Sequence, residues 1–318
     1  MKKKVLVCGA TGFIGRNIAE AFAAGAEFEV YGTYFKSSPP DIPGLNIVRA
    51  DLTDKNDVDS AVKGMDIIIQ AAATTSGAKD IVTKPYYHVT DNAVMNSLIC
   101  RSAYEKKVSR FIFFSCTVMY QSGPAPVKET DFDANKEMHP SYFGVGWTKA
   151  YIEKVCEFYS RIGDTKYTVI RHSNIYGPHD KFDLEKSHVF GATITKVMAA
   201  KNGGRIVIWG SGEEERDLLY VEDLVDVVKL AVNKQKTNFE LFNVGYGSSI
   251  SIKELVEKII NCSGKKIKVE HDLSKPNIKT KLCLDTERVR AAFGWSPRVS
   301  LDEGIRKTIE WHRINIRA

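Results

Sequence analysis

Three glycines near the amino terminus set the first chemical constraint. The run Val5-Leu6-Val7-Cys8-Gly9-Ala10-Thr11-Gly12-Phe13-Ile14-Gly15 spaces them as GxxGxxG, after a strand-like segment and at the opening of a helix-like one. Gly9 permits a tight turn, Gly12 lets the backbone approach a bound group, and Gly15 lets the helix pack against the sheet. A helix that opens there offers free N–H groups and the positive end of its dipole to an anion. In a strand–turn–helix setting this is the pattern of a dinucleotide site, with Thr11, Phe13 and Ile14 among its residues.

Other residues bear on the same cofactor. NAD sites usually carry an acid at the end of the second strand. Here that stretch, Val30 to Lys36, has none. The absent repulsion and Lys36 suit a 2′-phosphate, while Thr33 or Tyr34 suit a ribose hydroxyl, so NAD and NADP both stay open. Asp51, followed by Leu52, is either an adenine contact or a helix cap. Ala71, Ala72 and Ala73 are small enough for close approach to the cofactor.

These residues need a scaffold, and the pattern along the chain supplies one. Strand-like runs at 4–7, 29–34, 46–49, 66–69, 111–115 and 167–171 alternate with helix-like stretches at 12–22, 56–62, 90–106 and 148–161. Strands separated by helices require crossovers, hence a doubly wound parallel α/β sheet of the Rossmann type. Beyond about residue 173 the pattern loosens. Strands are expected at 205–209 and 240–244, and helices at 221–232, 252–262 and 301–313. The expected division is a dinucleotide-binding domain over 1–172, with elements near 216–246 returning to it. A smaller α/β substrate domain then occupies most of 173–318.

Composition narrows the classes. The 318 residues are 43% hydrophobic and 26% charged, ordinary for a soluble protein. The net charge of +6 is spread along the chain, which favours an anionic small ligand over nucleic acid. No apolar stretch approaches the roughly 18 residues of a membrane span. Six scattered cysteines without CxxC pairs argue against zinc or a disulfide framework, so no metal is expected and the compartment expected is the cytoplasm.

Taken with the glycine motif, several further stretches resemble the extended short-chain dehydrogenase/reductase family of epimerases and dehydratases. They are Asn92, the run Phe114 to Tyr120, Arg171-His-Ser-Asn174-Ile-Tyr-Gly177-Pro178, Arg216 to Asp223, Phe242-Asn-Val-Gly245 and Phe293-Gly-Trp-Ser-Pro297. The segments around Asp180, Ser187-His188-Val189 and Val207-Ile-Trp209-Gly-Ser-Gly212 are most similar to the GDP-fucose synthase-like nucleotide-sugar enzymes. The resemblance implies that Asn92 lies at the cofactor. It also implies that Asn174, His188, Val189, Trp209 and Arg216 meet a nucleotide sugar, GDP-linked as first choice, and that His188 moves a proton. An arginine fork suits a diphosphate. A homodimer through the helices at 90–106 and 148–161 is implied as well.

The family's proton chemistry rests on a Ser/Thr–Tyr–Lys set with the spacing YxxxK. Its tyrosine works because adjacent positive charge lowers a pKa of about 10 toward neutrality. Here Lys149 stands in the lysine's place, at the opening of the fourth helix-like stretch, 148–161, to bind the nicotinamide ribose. Four residues earlier stands Val145, which exchanges no proton, and Cys116 replaces the hydroxyl residue, flanked by Ser115 and Thr117. Tyr142, Cys116, Thr117 and His188 are the substitutes offered by the sequence. The expected reaction is hydride transfer between C4 of a sugar and the nicotinamide. The alternatives are a 4-epimerase, a 3,5-epimerase/4-reductase, or a non-catalytic NAD(P)-binding sensor.

Overall fold

The computed structural model describes residues 2–74, 84–123, 125–184, 187–274 and 281–316. The large sheet is built from β1 (Lys3–Cys8), β2 (Phe28–Tyr34), β3 (Leu45–Arg49), β4 (Ile67–Gln70), β5 (Arg110–Ser115), β6 (Lys166–His172) and the late strand β10 (Phe239–Val244). All its pairings are parallel, in the order β10-β6-β5-β4-β1-β2-β3. The order reverses direction between β1 and β4, the point at which open α/β sheets carry a crevice outside the carboxyl ends of their strands. The glycine turn leaves β1 on one side of that crevice, and Ala71 to Ala73 leave β4 on the other.

The strands are apolar on both sides because both faces are covered. Helices α1 (Phe13–Ala23) and α6 (Val221–Lys234) pack on one face, over Val5, Val7, Ile112, Phe114 and Ile170. The other face carries α2 (Lys55–Val62), α3 (Thr90–Glu105) and α4 (Phe143–Ile162), over Leu6, Ile68, Phe111, Phe113 and Val169.

A third core lies under the later elements. Strands β7 (Asn174–Tyr176), β9 (Glu215–Tyr220), β11 (Ser249–Ser251) and β13 (Lys281–Leu282) form a second sheet, and β8 (Arg205–Trp209) pairs with β12 (Lys268–Asp272). Helices α5 (Val189–Ala199), α7 (Ile252–Ser263) and α9 (Leu301–Asn315) close over Tyr176, Phe190, Leu218, Tyr220 and Leu255. Short α8 (Glu287–Phe293) sits against the first core instead. Within 216–246, α6 and β10 join the large sheet, whereas β9 stays with the second. Among the described residues no helix is long and apolar enough to cross a membrane.

One expected boundary moves. The helix assigned to 148–161 begins at Phe143, so Lys149 stands in its second turn rather than at its opening. Gly144 and Gly146 make this segment look like a loop in sequence. They are glycine because Val89 and Met138 press on the first turn: added Cβ atoms would come within 2.8 Å of Val89 Cγ2 and 2.5 Å of Met138 Sδ.

A buried polar cluster fixes α4 to the sheet. Arg171 on β6 forms a two-pronged pair with Glu153 on α4, donating from Nε at 2.9 Å and from Nη2 at 2.6 Å. Ser115, the last residue of β5, donates to the same carboxylate at 2.6 Å. The other guanidinium nitrogen, Nη1, donates to Tyr120 Oη at 2.7 Å, and Tyr120 in turn donates to Asn243 on β10 at 2.8 Å. Removing one partner of such a pair strands the other as a buried charge, at a cost of about 3–5 kcal/mol. The Arg171→Leu variant is therefore expected to lose about that much stability, read from the midpoint of urea denaturation at unchanged slope.

Candidate active site

The glycine turn is built from the inside out. Gly9 has φ +77°, and a Cβ on it would fall 2.7 Å from Ala72 Cα. A Cβ on Gly15 would stand 2.2 Å from the Gly9 carbonyl oxygen. Gly12 differs: its nearest contact would be an ordinary 3.4 Å, so packing does not exclude a side chain there. What a side chain would obstruct is approach from outside to the first turn of α1, which no side chain caps and which holds no acid. A glycine cradle in front of uncapped N–H groups fits a dinucleotide pyrophosphate.

Thr33 is almost fully buried, and its hydroxyl oxygen accepts the Gly9 N–H at 2.9 Å. It shapes the turn from within. Tyr34 follows it, half-buried, and Lys36 is exposed, its ammonium 5.2 Å from the Phe35 ring. Asp51 accepts the Thr53 hydroxyl at 2.6 Å and the Thr53 N–H at 3.0 Å, which with the nearby charge of Lys36 holds its carboxyl below the usual range. Leu52 is buried.

Asn92, assigned to the cofactor by resemblance, works at one remove. Its side chain accepts the Thr74 N–H and donates to the carbonyls of Thr74 and His88, each at 3.0 Å. All its polar atoms are thereby engaged with protein, and what it positions is the segment leaving β4, where Ala71 and Ala72 are half-buried and Ala73 is exposed.

At the far end of the crevice the titratable candidates gather. The Lys149 ammonium donates to the Phe114 carbonyl at 2.7 Å and lies 4.7 Å from the Phe113 ring. Burial pushes its pKa down, opposed by Cys116 and Glu153. Val145 is one turn earlier on the same face. Burial pushes the Cys116 thiol up, and Lys149 pulls it back. Ser115 is spent on Glu153, while Thr117 is buried beside the thiol. Tyr142 caps α4 and interacts electrostatically with both Cys116 and Arg216. Burial pushes its hydroxyl up, not down. Tyr120 is locked into the polar cluster, its pKa pushed up to about 12 by burial.

From the other side, Arg216 on β9 donates to the Glu215 carbonyl at 2.8 Å and keeps its charge despite burial. Asn174, exposed at the start of β7, donates to the Asp217 carbonyl at 3.2 Å. His188 and Val189 open α5, and burial with the charge of Lys181 depresses the pKa of His188. Trp209 closes β8, half of its surface exposed.

Two features were not assigned from sequence. His172 ends β6 within electrostatic reach of Lys149 and His188, signalled only by a titratable side chain at the carboxyl end of a parallel strand. The turn after β7 is also tied to α1. Asn17 donates to the Pro178 carbonyl at 2.9 Å, and His179, with φ +66°, meets Glu20 at 3.1 Å.

A strand-order reversal, a glycine cradle and a second small sheet facing it define a dinucleotide-binding enzyme fold. The sequence profile of the NAD dependent epimerase/dehydratase family matches residues 5–245, and the chain belongs to that family. Among curated proteins it is 31% identical over 271 residues to a putative GDP-L-fucose synthase 2 of Arabidopsis thaliana, covering 84% of this chain and 82% of that one. It is 28% identical over 314 residues to the GDP-L-colitose synthase of Yersinia pseudotuberculosis, covering 97% of each. Among solved structures, the UDP-glucose 4-epimerase of Thermotoga maritima with UDP-glucose superposes with a TM-score of 0.86 at 25% identity, over 99% of this chain and 100% of that one.

The Gly15→Ala variant tests the cradle. Its Cβ would force the turn open, at a cost of about 1–3 kcal/mol. NAD affinity, measured by calorimetric titration, is expected to fall at least about tenfold, the equivalent of 1.4 kcal/mol.

Proposed function

We propose that this chain is a nucleotide-sugar oxidoreductase that moves hydride between C4 of a sugar, GDP-linked as first choice, and a nicotinamide cofactor. The observation that carries the reading is the placement of Tyr142. It answers electrostatically to Arg216 on one side and to Cys116, beside Lys149, on the other. In this reading a diphosphate at Arg216 would put its sugar across Tyr142 toward the hydride end. The GDP-sugar names of the curated relatives support the choice of base.

NAD is the proposed cofactor, supported by the family and by relatives whose structures contain it. When bound, it supplies or accepts the hydride. In this reading the turn at Gly9, Thr11, Gly12 and Gly15, with the N–H groups of Phe13 and Ile14, takes the pyrophosphate. Asp51 and Leu52 take the adenine end, Ala71 to Ala73 line the middle, and Lys149 holds the nicotinamide ribose. Asn174, His188, Val189, Trp209 and Arg216 take the nucleotide sugar. Tyr142 has a raised pKa, the reverse of an acidified catalytic tyrosine, so it holds and orients a sugar hydroxyl rather than taking its proton.

The exposed side chains of Tyr151, Phe158 and Ile162 form one stripe on α4, beside Val94 on α3, and support a homodimer through these helices. Tyr151→Glu is expected to shift the protein from dimer to monomer in analytical ultracentrifugation, and an unchanged dimer counts against this face.

The test of function is to add GDP- and UDP-linked hexoses, and their 4-keto forms, to the purified protein with NAD or NADH and follow absorbance at the reduced-nicotinamide band. Turnover of one sugar with a C4 ketone as substrate or product supports the reading. A C4 epimer without net change in cofactor identifies the epimerase instead, and silence with every sugar leaves a cofactor-binding protein. Arg216→Met is expected to raise KM about 10-fold or more, the loss of one charge-assisted contact. Tyr142→Phe is expected to raise KM more than it lowers kcat.

A further inference from the structure

We propose that His172 is a catalytic residue of this site, its Nε2 taking the proton of the sugar hydroxyl at the carbon that exchanges hydride. The inference rests on the oxidoreductase reading and supplies what that reading lacks, a proton acceptor in a site whose expected tyrosine is Val145.

The groups gathered at the hydride end sort by what they hold at neutral pH. Lys149 is a cation bonded to a backbone carbonyl. Cys116 and Tyr142 are both pushed up by burial and keep their protons. None of the three offers a lone pair for a proton from carbon-bound oxygen. The imidazoles of His172 and His188 do.

His172 is the better placed of the two. It ends β6 beside the end of β5, in register next to Arg171, which pairs with Ser115. Its ring centroid lies 6.3 Å from that of Phe114, the residue whose carbonyl holds the Lys149 ammonium. Lys149, on α4, acts on it electrostatically, and so does His188, on α5. His188 answers instead to Lys181, on the sugar side. His172 is therefore the histidine that answers to both Lys149 and His188, and it packs on the residue whose carbonyl holds the lysine.

Its orientation is set as well. Nδ1 lies 2.7 Å from the Ser173 carbonyl oxygen, which accepts only, so Nδ1 carries the hydrogen and Nε2 the lone pair. Among the described residues no protein group bonds Nε2. Burial, with Lys149 and His188 adding to it, pushes the pKa down to about 4, which keeps the ring neutral.

In the oxidising direction the hydroxyl O–H and the C4–H bonds break. The proton would pass to Nε2, the bound nicotinamide would supply the hydride acceptor, and the pair freed from the O–H bond would close the carbonyl. The reducing direction returns both. Charging His172 beside Lys149 is unfavourable, so the proton leaves it readily.

Two measurements test this. The first needs no turnover: diethyl pyrocarbonate acylates neutral imidazole nitrogen, and peptide mass spectrometry locates it. His172 is expected to be modified at pH 7 in the free protein and protected by NAD together with GDP-mannose. A His172 that stays unmodified while exposed His139 reacts overturns the proposal. The second is kinetic. His172→Ala is expected to lower kcat about 10² to 10⁴-fold with little change in KM, at unaltered NAD affinity, and free imidazole is expected to restore part of the rate. Unchanged kcat, or a loss that imidazole does not restore, overturns the role of His172 alone. Failure of the unmodified enzyme to turn over any nucleotide sugar overturns the oxidoreductase reading and this proposal with it.

Discussion

The buried pair between Arg171 and Glu153 is the contact on which the site depends. One carboxylate on α4 takes two hydrogen bonds from β6 and a third from the end of β5. Those elements carry His172 and Lys149, and Cys116 follows directly on the last of them. Glu153 is one helical turn from Lys149, and Ser115 is the residue before Cys116, so the pair fixes both relative to the crevice. A charge buried with one geometrically matched partner tolerates little displacement, since any shift exposes an unpaired ion to a low-dielectric interior. The same guanidinium reaches Tyr120 and through it Asn243, which extends the constraint to the sheet edge. An apolar cluster would hold α4 against the sheet, but its register along the sheet would be looser.

The polar residues of the family motifs divide between this kind of work and the site. Asp217 accepts the N–H groups of Tyr246 and Leu284, stitching the loop after β10 to the second sheet. Asp223 accepts from Arg298 and Val299, and its carbonyl takes the Trp295 indole N–H. Both lie in the stretch that begins with Arg216, yet only Arg216 faces Tyr142 electrostatically. A motif of eight residues thus carries one candidate site residue and two clamps.

The large sheet was legible in the sequence because buried parallel strands read as unbroken apolar runs with turn residues between them. The glycine cradle was legible because Gly9 and Gly15 have steric requirements no other residue meets, with Gly12 at the matching spacing between them. The start of α4 was not, since Gly144 and Gly146 answer to Val89 and Met138, which are distant in sequence. Strands β7, β11 and β13 have two or three residues each, too few to show a period. Thr33 and Asn92 were named from sequence as cofactor residues, but the work the structure shows for them, bonding backbone, depends on which groups lie opposite. His172 escaped notice because a histidine at a strand end is common, and only its neighbours give it meaning.

The turn after β7 has a bearing on how ligands enter. Asn17 and Glu20, on the helix that would face the pyrophosphate, hold Pro178 and His179 of the turn that leads toward His188. Whatever restrains α1 therefore also restrains that turn. By linkage, a ligand that stiffens one side lowers the entropic cost of ordering the other, and the benefit is the same in either direction. Under the proposed function, whichever ligand arrives first would favour binding of the other, without any element having to swing shut.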